Sequence, residues 1–466
     1  MTTDPTLFRQ LPSVDELLKL PAATRLGSRL AHPYLAGAAR RLVETWREDL
    51  RQGRLDAAAL ASRLAQAEAE FEALVTADLT PLPRRLINAT GVVVHTNLGR
   101  APWPERAIAR AMDAARGAVA LEYDLASGER GTREALLAKA RRLFPEVEEV
   151  LAVNNCAAAV LLALNSLAEG REVVISRGEL VEIGGSFRIP DVLAKSGAVL
   201  REVGTTNRTR IEDYESAVSD KTALFLKVHP SNYRVVGFTE TVANRELVAL
   251  ARRLNLMVVE DLGSGLMVDL GAHGVVDETT VAQALESGVD FVTVSGDKLF
   301  GGPQAGLVLG RAAPLKRLRK NPLYRALRCD KVTLAALDAC FEIYLAGDPL
   351  AEVPVLRAIA ADPVLLERRA EALAARLRSL SGVEARAVPS VGTVGGGASP
   401  LARLEGHAVA VSVAGKSAAA LEAGLRAATT PIVARVEDGR VLFDLRTVDE
   451  ADEDLVVAAV RSQVQP

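Results

Sequence analysis

Between residues 86 and about 310 the chain alternates short apolar runs with stretches of helical spacing, and this alternation limits the fold more than any other feature. LINATGVVVH reads as a strand pair or a bent strand. EVLAVNN runs into CAAAVLLALNSLAEG, a strand followed by a helix that Gly170 closes. EVVISRGE, AVLREVG, TALFLKVH, LMVVEDLGSG and DFVTVSGDK read as further strands, separated by stretches such as ANRELVALARRLN. The pattern predicts a mostly parallel sheet covered by helices on both faces. No GxGxxG follows the first strand, which argues against a dinucleotide-binding fold.

The flanking segments read differently. DELLKL, LAGAARRLVETWREDLRQ and LDAAALASRLAQAEAEFEALV carry apolar residues at three- and four-residue spacing, so residues 1–80 are predicted to be helical. PLPRR at 81–85 marks a border. Beyond residue 331, KVTLAALDACFEIYLAG and LLERRAEALAARLRSL read as long helices. GVEARAVPS, HAVAVSV and the hairpin IVARVEDGRVLFDLR, with Asp438-Gly439 as its turn, read as strands. Three domains follow: a helical one at 1–82, the α/β one at 83–331 and a small α+β one at 332–466. The run VGTVGGGASP at 391–400 reads as a flexible loop without chemistry of its own.

Charge and cysteine usage narrow the class. A net charge of −3 excludes a globally basic nucleic-acid binder, and no DNA partner is expected. Locally, residues 25–54 hold seven arginines against three acids, which fits either a solvated helix face or a phosphate-binding one. Three cysteines with no CxxC pair argue against a disulfide framework or a zinc site. The start MTTDPTLFRQLP lacks a basic segment followed by an apolar run, and no uncharged apolar stretch reaches about 18 residues. A cytoplasmic protein with no membrane span is expected.

SGDKLFGGPQAG at 295–306 carries the chemistry. Lys298 follows a buried strand and precedes Gly301, Gly302 and Pro303. A charge there is costly without a partner or a job. A partly desolvated lysine with a lowered pKa suits a Schiff base to pyridoxal phosphate, because only the neutral amine attacks. Asn154-Asn155-Cys156-Ala157-Ala158, a small polar turn opening a helix, would seat the phosphate on backbone N–H groups, and Ser295 would add a hydroxyl. Asp261, at the end of LMVVED, would hold the proton on the ring nitrogen, with Glu260 facing away. His229 and Asn232, in KVHPSNYR, would meet the ring or its phenolic oxygen, or else form a turn. The three strand ends lie at the carboxyl edge of the sheet, where ligands bind in open α/β folds. Their order resembles the fold-type I pyridoxal phosphate enzymes over residues 86–466.

The resemblance narrows further. INATGVVVHTNLGRA at 87–101, RGELVEIGGSFRIPDV at 177–192, EVGTTNRT at 202–209, VSGDKLFGGPQAG at 294–306 and YRALRCDK at 324–331, with LPSVDELL near the start, are similar to the bacterial L-seryl-tRNA(Sec) selenium transferases. Cys156 stands where that family's pattern has asparagine. The resemblance implies conversion of Ser-tRNA(Sec) to Sec-tRNA(Sec) with selenophosphate through an aminoacrylyl-tRNA. It implies Lys298 as the base, Asp297 beside it, and Arg100, Arg325 and Arg328 around the selenium donor, the last two at i and i+3 of a predicted helix. It implies Thr205 and Thr206 near a neighbouring subunit's site, N-terminal helices on the tRNA, and a homodimer-built ring, a decamer. Two rivals stand beside it: a pyridoxal phosphate lyase or transaminase acting on a free amino acid or amino sugar, and a tRNA-binding protein with a vestigial core.

Overall fold

The computed structural model describes residues 5–183, 187–276 and 278–464, which fall into two compact units, residues 1–85 and 86–466. The first unit is helical. Its longest helix, His32–Arg51, buries Leu35, Leu42, Val43, Trp46 and Leu50 against Phe71 and Val75 of the helix Ala67–Asp78 and against shorter helices before it. The indole N–H of the fully buried Trp46 donates to Glu70 at 2.9 Å, so the one polar atom of that ring is met.

The second unit is built on a seven-stranded sheet. Its strands run in the order Glu149–Val153, Gly306–Gly310, Phe291–Ser295, Met257–Gly263, Thr222–Val228, Glu172–Ser176 and Val199–Val203. Only Gly306–Gly310 runs antiparallel to its neighbours. Alternate residues face opposite helical layers. Val174, Phe225, Val258 and Val292 face one core, and Val173, Ile175, Leu224, Leu226 and Val259 face the other with the helix Cys156–Ala168. Burial on both faces is why the strands are continuous apolar runs.

A second, five-stranded sheet runs Ile87–Ala89, Ile432–Glu437, Arg440–Asp444, Leu404–Val413 and Val383–Gly392. Asp438 and Gly439 make the hairpin turn with φ of 49° and 70°. Two features differ from the sequence reading. LINATGVVVH forms one short strand and then turns, because Asn88 accepts from Thr90 and donates to the Val92 carbonyl at 2.9 Å, and that strand joins the C-terminal sheet. The helix Lys331–Ala346 packs its Leu334, Leu337 and Phe341 into the core of the large sheet rather than the C-terminal one. No helix among the described residues is long and apolar enough to cross a membrane.

The antiparallel strand presses on the turn before Cys156. A Cβ on Gly306 would stand 2.1 Å from the Asn155 carbonyl oxygen. Gly306→Ala should therefore destabilise the protein by about 1–3 kcal/mol through overpacking. Denaturant unfolding checks this, and an unchanged midpoint would contradict it.

Candidate active site

Lys298 sits in the turn between Phe291–Ser295 and Gly306–Gly310, and only 5% of its surface is exposed. The turn is rigid for identifiable reasons. Leu299 and Phe300 are fully buried, and Phe300 stacks edge-on to Phe341 with ring centroids 5.1 Å apart. The Tyr344 hydroxyl donates to the Phe300 carbonyl at 2.8 Å, and the Leu299 N–H donates to that of Ser264 at 2.9 Å. Gly301 adopts φ 72° with Val353 packed where a side chain would start, so only glycine fits there. The Lys298 amine donates to the Gly397 carbonyl at 3.4 Å. Burial pushes its pKa down; Arg100 adds to the shift, while Asp261 and Asp297 oppose it.

Asp261 is buried close enough to Lys298 for their charges to interact. Its Oδ1 accepts from Thr293 Oγ1 at 2.8 Å and from the Cys156 thiol at 3.4 Å. Thr293 is its register partner on the neighbouring strand, so the two side chains share a face. Burial raises the Asp261 pKa, opposed by those two hydrogen bonds and by the Lys298 charge. Glu260 faces the opposite side, where Asn244 donates to it at 2.7 Å. Burial also lifts the Cys156 thiol well above its usual range, which makes it a hydrogen-bond donor and not a thiolate.

Cys156 opens the helix Cys156–Ala168, whose first N–H groups have no carbonyl one turn back. Asn155 Oδ1 accepts from the Ala158 N–H at 2.8 Å, and the N–H groups of Cys156 and Ala157 in the same first turn are of the kind that suits an anion. Ser295, 4% exposed, ends the strand beside them. A carboxylate short of a cation, an amine held toward neutrality and a helix N-terminus thus converge. The set fits a phosphorylated, protonated heteroaromatic ring such as pyridoxal phosphate. No cluster of metal-ligating side chains occurs among the described residues.

Asp297 adjoins the lysine and is bound to the hook 95–101. Its two oxygens accept from Arg100 Nη1 at 3.2 and 3.0 Å, and its carbonyl accepts from the Ala101 N–H at 3.2 Å. His229 follows Thr222–Val228, with its N–H on the Asp261 carbonyl at 3.0 Å. Asn232 is exposed and spends its amide on the Glu182 carbonyl at 2.7 Å. Thr205 and Thr206 are exposed in the turn after the edge strand Val199–Val203, where Thr205 Oγ1 donates to the Arg208 carbonyl at 3.0 Å.

The two C-terminal arginines are arranged otherwise than the sequence suggests. The helix Pro322–Leu327 carries an exposed Arg325 and stops. Arg328 stands in extended backbone beside Val153 and donates to Glu122 at 3.2 Å. Its backbone N–H still bonds to Tyr324, but no shared helix face presents the two guanidinium groups. In RGELVEIGGSFRIPDV, residues 184–186 lie outside the described residues. The rest forms a 3-10 turn, a short ribbon and the helix Ile189–Ser196.

Sequence reasoning passed over Thr293, Gly397 and Glu122. Strand alternation from Ser295 would have found Thr293. The others come from loops whose partners are distant in the chain.

Comparison with known proteins adds the following. The family profile described as L-seryl-tRNA selenium transferase matches residues 86–449, and that described as Selenocysteine synthase N terminal matches residues 8–47. The L-seryl-tRNA(Sec) selenium transferase of Geobacter sulfurreducens is 47% identical over 459 residues, 98% of this chain and 99% of that protein. That of Solidesulfovibrio magneticus is 48% identical over 473 residues, 99% of each chain. Among solved structures, D-glucosaminate-6-phosphate ammonia-lyase superposes with a TM-score of 0.56 at 22% identity, covering 83% of this chain and 97% of that one, which shows a shared fold.

The Asp261 environment gives a pH-dependent expectation. A carboxyl whose folded pKa is raised costs nothing below the unfolded pKa, costs stability increasingly as pH rises from there toward the folded pKa, and costs the full amount above it. In cofactor-free protein, Asp261→Asn should therefore raise Tm at neutral pH. The gain should vanish as pH falls below the ordinary carboxyl range. A variant no more stable than the parent at neutral pH would contradict the assignment.

Proposed function

The chain belongs to the L-seryl-tRNA(Sec) selenium transferase family and converts Ser-tRNA(Sec) to Sec-tRNA(Sec), and we propose that it does so at Lys298, with pyridoxal phosphate as cofactor and selenophosphate as donor. The observation that carries this reading is the buried pair Lys298 and Asp261 beside Cys156, the first residue of the helix Cys156–Ala168. Asn155, Cys156, Ala157 and Ser295 would hold the phosphate, and Asp261 the protonated ring nitrogen. Bound pyridoxal phosphate supplies an electron sink for the pair left when the seryl α-proton departs. Lys298, whose pKa burial lowers, receives that proton. Asp297, clamped by Arg100, stands one residue away to assist loss of the seryl hydroxyl. The selenium of selenophosphate then adds at the carbon that carried the hydroxyl, a proton returns to the α-carbon, and water cleaves the P–Se bond so that phosphate leaves. His229, above the Asp261 carbonyl, flanks the ring; Asn232 braces the loop behind it.

Selenophosphate is an anion and needs cations. Arg100, Arg325 and Arg328 are assigned to it. Two of them already face carboxylates, Arg100 on Asp297 and Arg328 on Glu122, so the donor shares or displaces those contacts. Arg325 is the exposed member.

The N-terminal unit is assigned to the tRNA. Five of its seven clustered arginines, Arg25, Arg41, Arg47, Arg51 and Arg54, carry carboxylate partners within the unit. Arg29 and Arg40 are exposed with no such partner among the described residues, and offer themselves to phosphates. A ring-shaped homo-oligomer, a decamer built from dimers, is part of the same reading. It is supported by Val236 and Phe238, 84% and 85% exposed in the single chain, a burden an assembly would bury. Thr205 and Thr206 would then stand at a neighbouring copy's site.

The test uses purified protein with Ser-tRNA(Sec) and selenophosphate, scored for Sec-tRNA(Sec). Arg325→Ala with Arg328→Ala should keep tRNA affinity and seryl dehydration but cut selenium addition at least ~100-fold, the loss expected of paired charge-assisted contacts. Arg29→Ala with Arg40→Ala should weaken tRNA binding and reduce the salt slope by about 1.4–1.8. Normal selenium addition in the first variant, or an unchanged slope in the second, would overturn the corresponding assignment.

A further inference from the structure

Glu278 has no part in the chemistry described so far, yet its side chain is fully buried. Its Oε2 accepts from the Ser399 N–H at 2.9 Å and from Ser399 Oγ at 3.0 Å. Its Oε1 is buried and meets no donor, the one carboxylate oxygen among the described residues of which this is true. That oxygen faces Nδ1 of His229 at 3.6 Å, and Nδ1 is likewise buried and unmet. A shift of a few tenths of an ångström closes this gap to a hydrogen bond.

Both ends of the carboxylate lead to the active site. His229 is fixed by its N–H to the Asp261 carbonyl. Ser399 ends the glycine loop whose Gly397 carbonyl receives the Lys298 amine. The far side of that loop is pinned already: the Thr393 N–H donates to the Gly91 carbonyl at 2.9 Å, and the Val94 N–H to that of Val394 at 2.8 Å. Glu278 supplies the near side.

Resting on the assignment of Lys298 as the cofactor lysine, we propose that Glu278 is a positioning residue whose carboxylate keeps the His229 proton on Nδ1 while holding the glycine loop over Lys298. An ionised carboxylate only accepts, so the nitrogen facing it must carry hydrogen. In neutral imidazole the proton on Nδ1 leaves Nε2 as the acceptor. A carboxylate behind a histidine thus sets which nitrogen works at the site, as it does behind histidine metal ligands. The same residue explains why a loop of four glycines keeps one carbonyl on the lysine.

Glu278→Gln separates the two tasks. Its amide oxygen still accepts from Ser399, which turns its NH2 toward His229 and forces the proton onto Nε2. The experiment is magic-angle-spinning 15N spectroscopy of full-length, histidine-labelled protein, in which His229 is assigned among five histidines by His229→Gln. The parent should show Nδ1 protonated and Nε2 bare, and Glu278→Gln the reverse. Turnover of Ser-tRNA(Sec) in the variant should fall about 10–100-fold in kcat, with KM and cofactor absorbance retained. A bare Nδ1 in the parent, or parental tautomer and kcat in the variant, overturns the proposal. Parent protein that takes up no pyridoxal phosphate overturns the Lys298 assignment instead, and the nitrogen shifts still report on Glu278.

Discussion

An ammonium group buried at the carboxyl end of the strand Phe291–Ser295, with a lone carbonyl 3.4 Å away, is the constraint on which the rest of the site depends. Keeping a lysine there charged is costly, so burial drives it toward the neutral form that nucleophilic and base chemistry require. The same burial pushes Asp261 toward its neutral acid. Their mutual attraction only partly offsets that burial. A ring carrying a protonated nitrogen satisfies the carboxylate and leaves the amine free. The cost of this arrangement is met by packing: Phe300, Phe341 and Tyr344 beneath the turn, glycine at 301 where a side chain would strike Val353, and the hook 95–101 fastened to Asp297.

Much of this was legible in the sequence because the large sheet is buried on both faces. Continuous apolar runs located its strands, and their ends located Lys298, Asp261 and the turn at Asn155. Alternation alone told Asp261 from Glu260, since adjacent residues of a strand face opposite layers. The loops were not legible. VGTVGGGASP reads as slack chain, yet pairing to residues 91–94 and the grip of Glu278 on Ser399 give it one conformation. Arg328 looked like a helix residue because nothing local announces that the helix stops at Leu327; the pairing of Val153 with Arg328, far apart in sequence, decides it. The helix Lys331–Ala346 was placed with the C-terminal domain because its apolar face does not say which sheet it covers.

The arginine-rich stretch 25–54 shows the same limit in charge. In the sequence its excess over local acids is large. In the fold, Glu68, Glu72 and Asp78 arrive from the helix Ala67–Asp78 and neutralise Arg25 and Arg41. Exposed ion pairs of this kind stabilise weakly and are readily exchanged for phosphate. The free positive charge is therefore smaller and more localised than composition suggests. Around the proposed donor site the pattern repeats, with Glu122 and Asp297 paired to the guanidinium groups of Arg328 and Arg100. On the proposed assignments, carboxylates within the protein would thus set the strength of both anion sites.

The central claim is that Lys298 alone forms the covalent bond to pyridoxal phosphate. The direct measurement is borohydride reduction of the full-length protein after incubation with the cofactor, followed by peptide mass spectrometry. The account expects the phosphopyridoxyl mass on the peptide containing SGDKLFGG, at Lys298, and no labelled peptide in Lys298→Ala. A stable adduct on another lysine, or none on the parent protein, would contradict it.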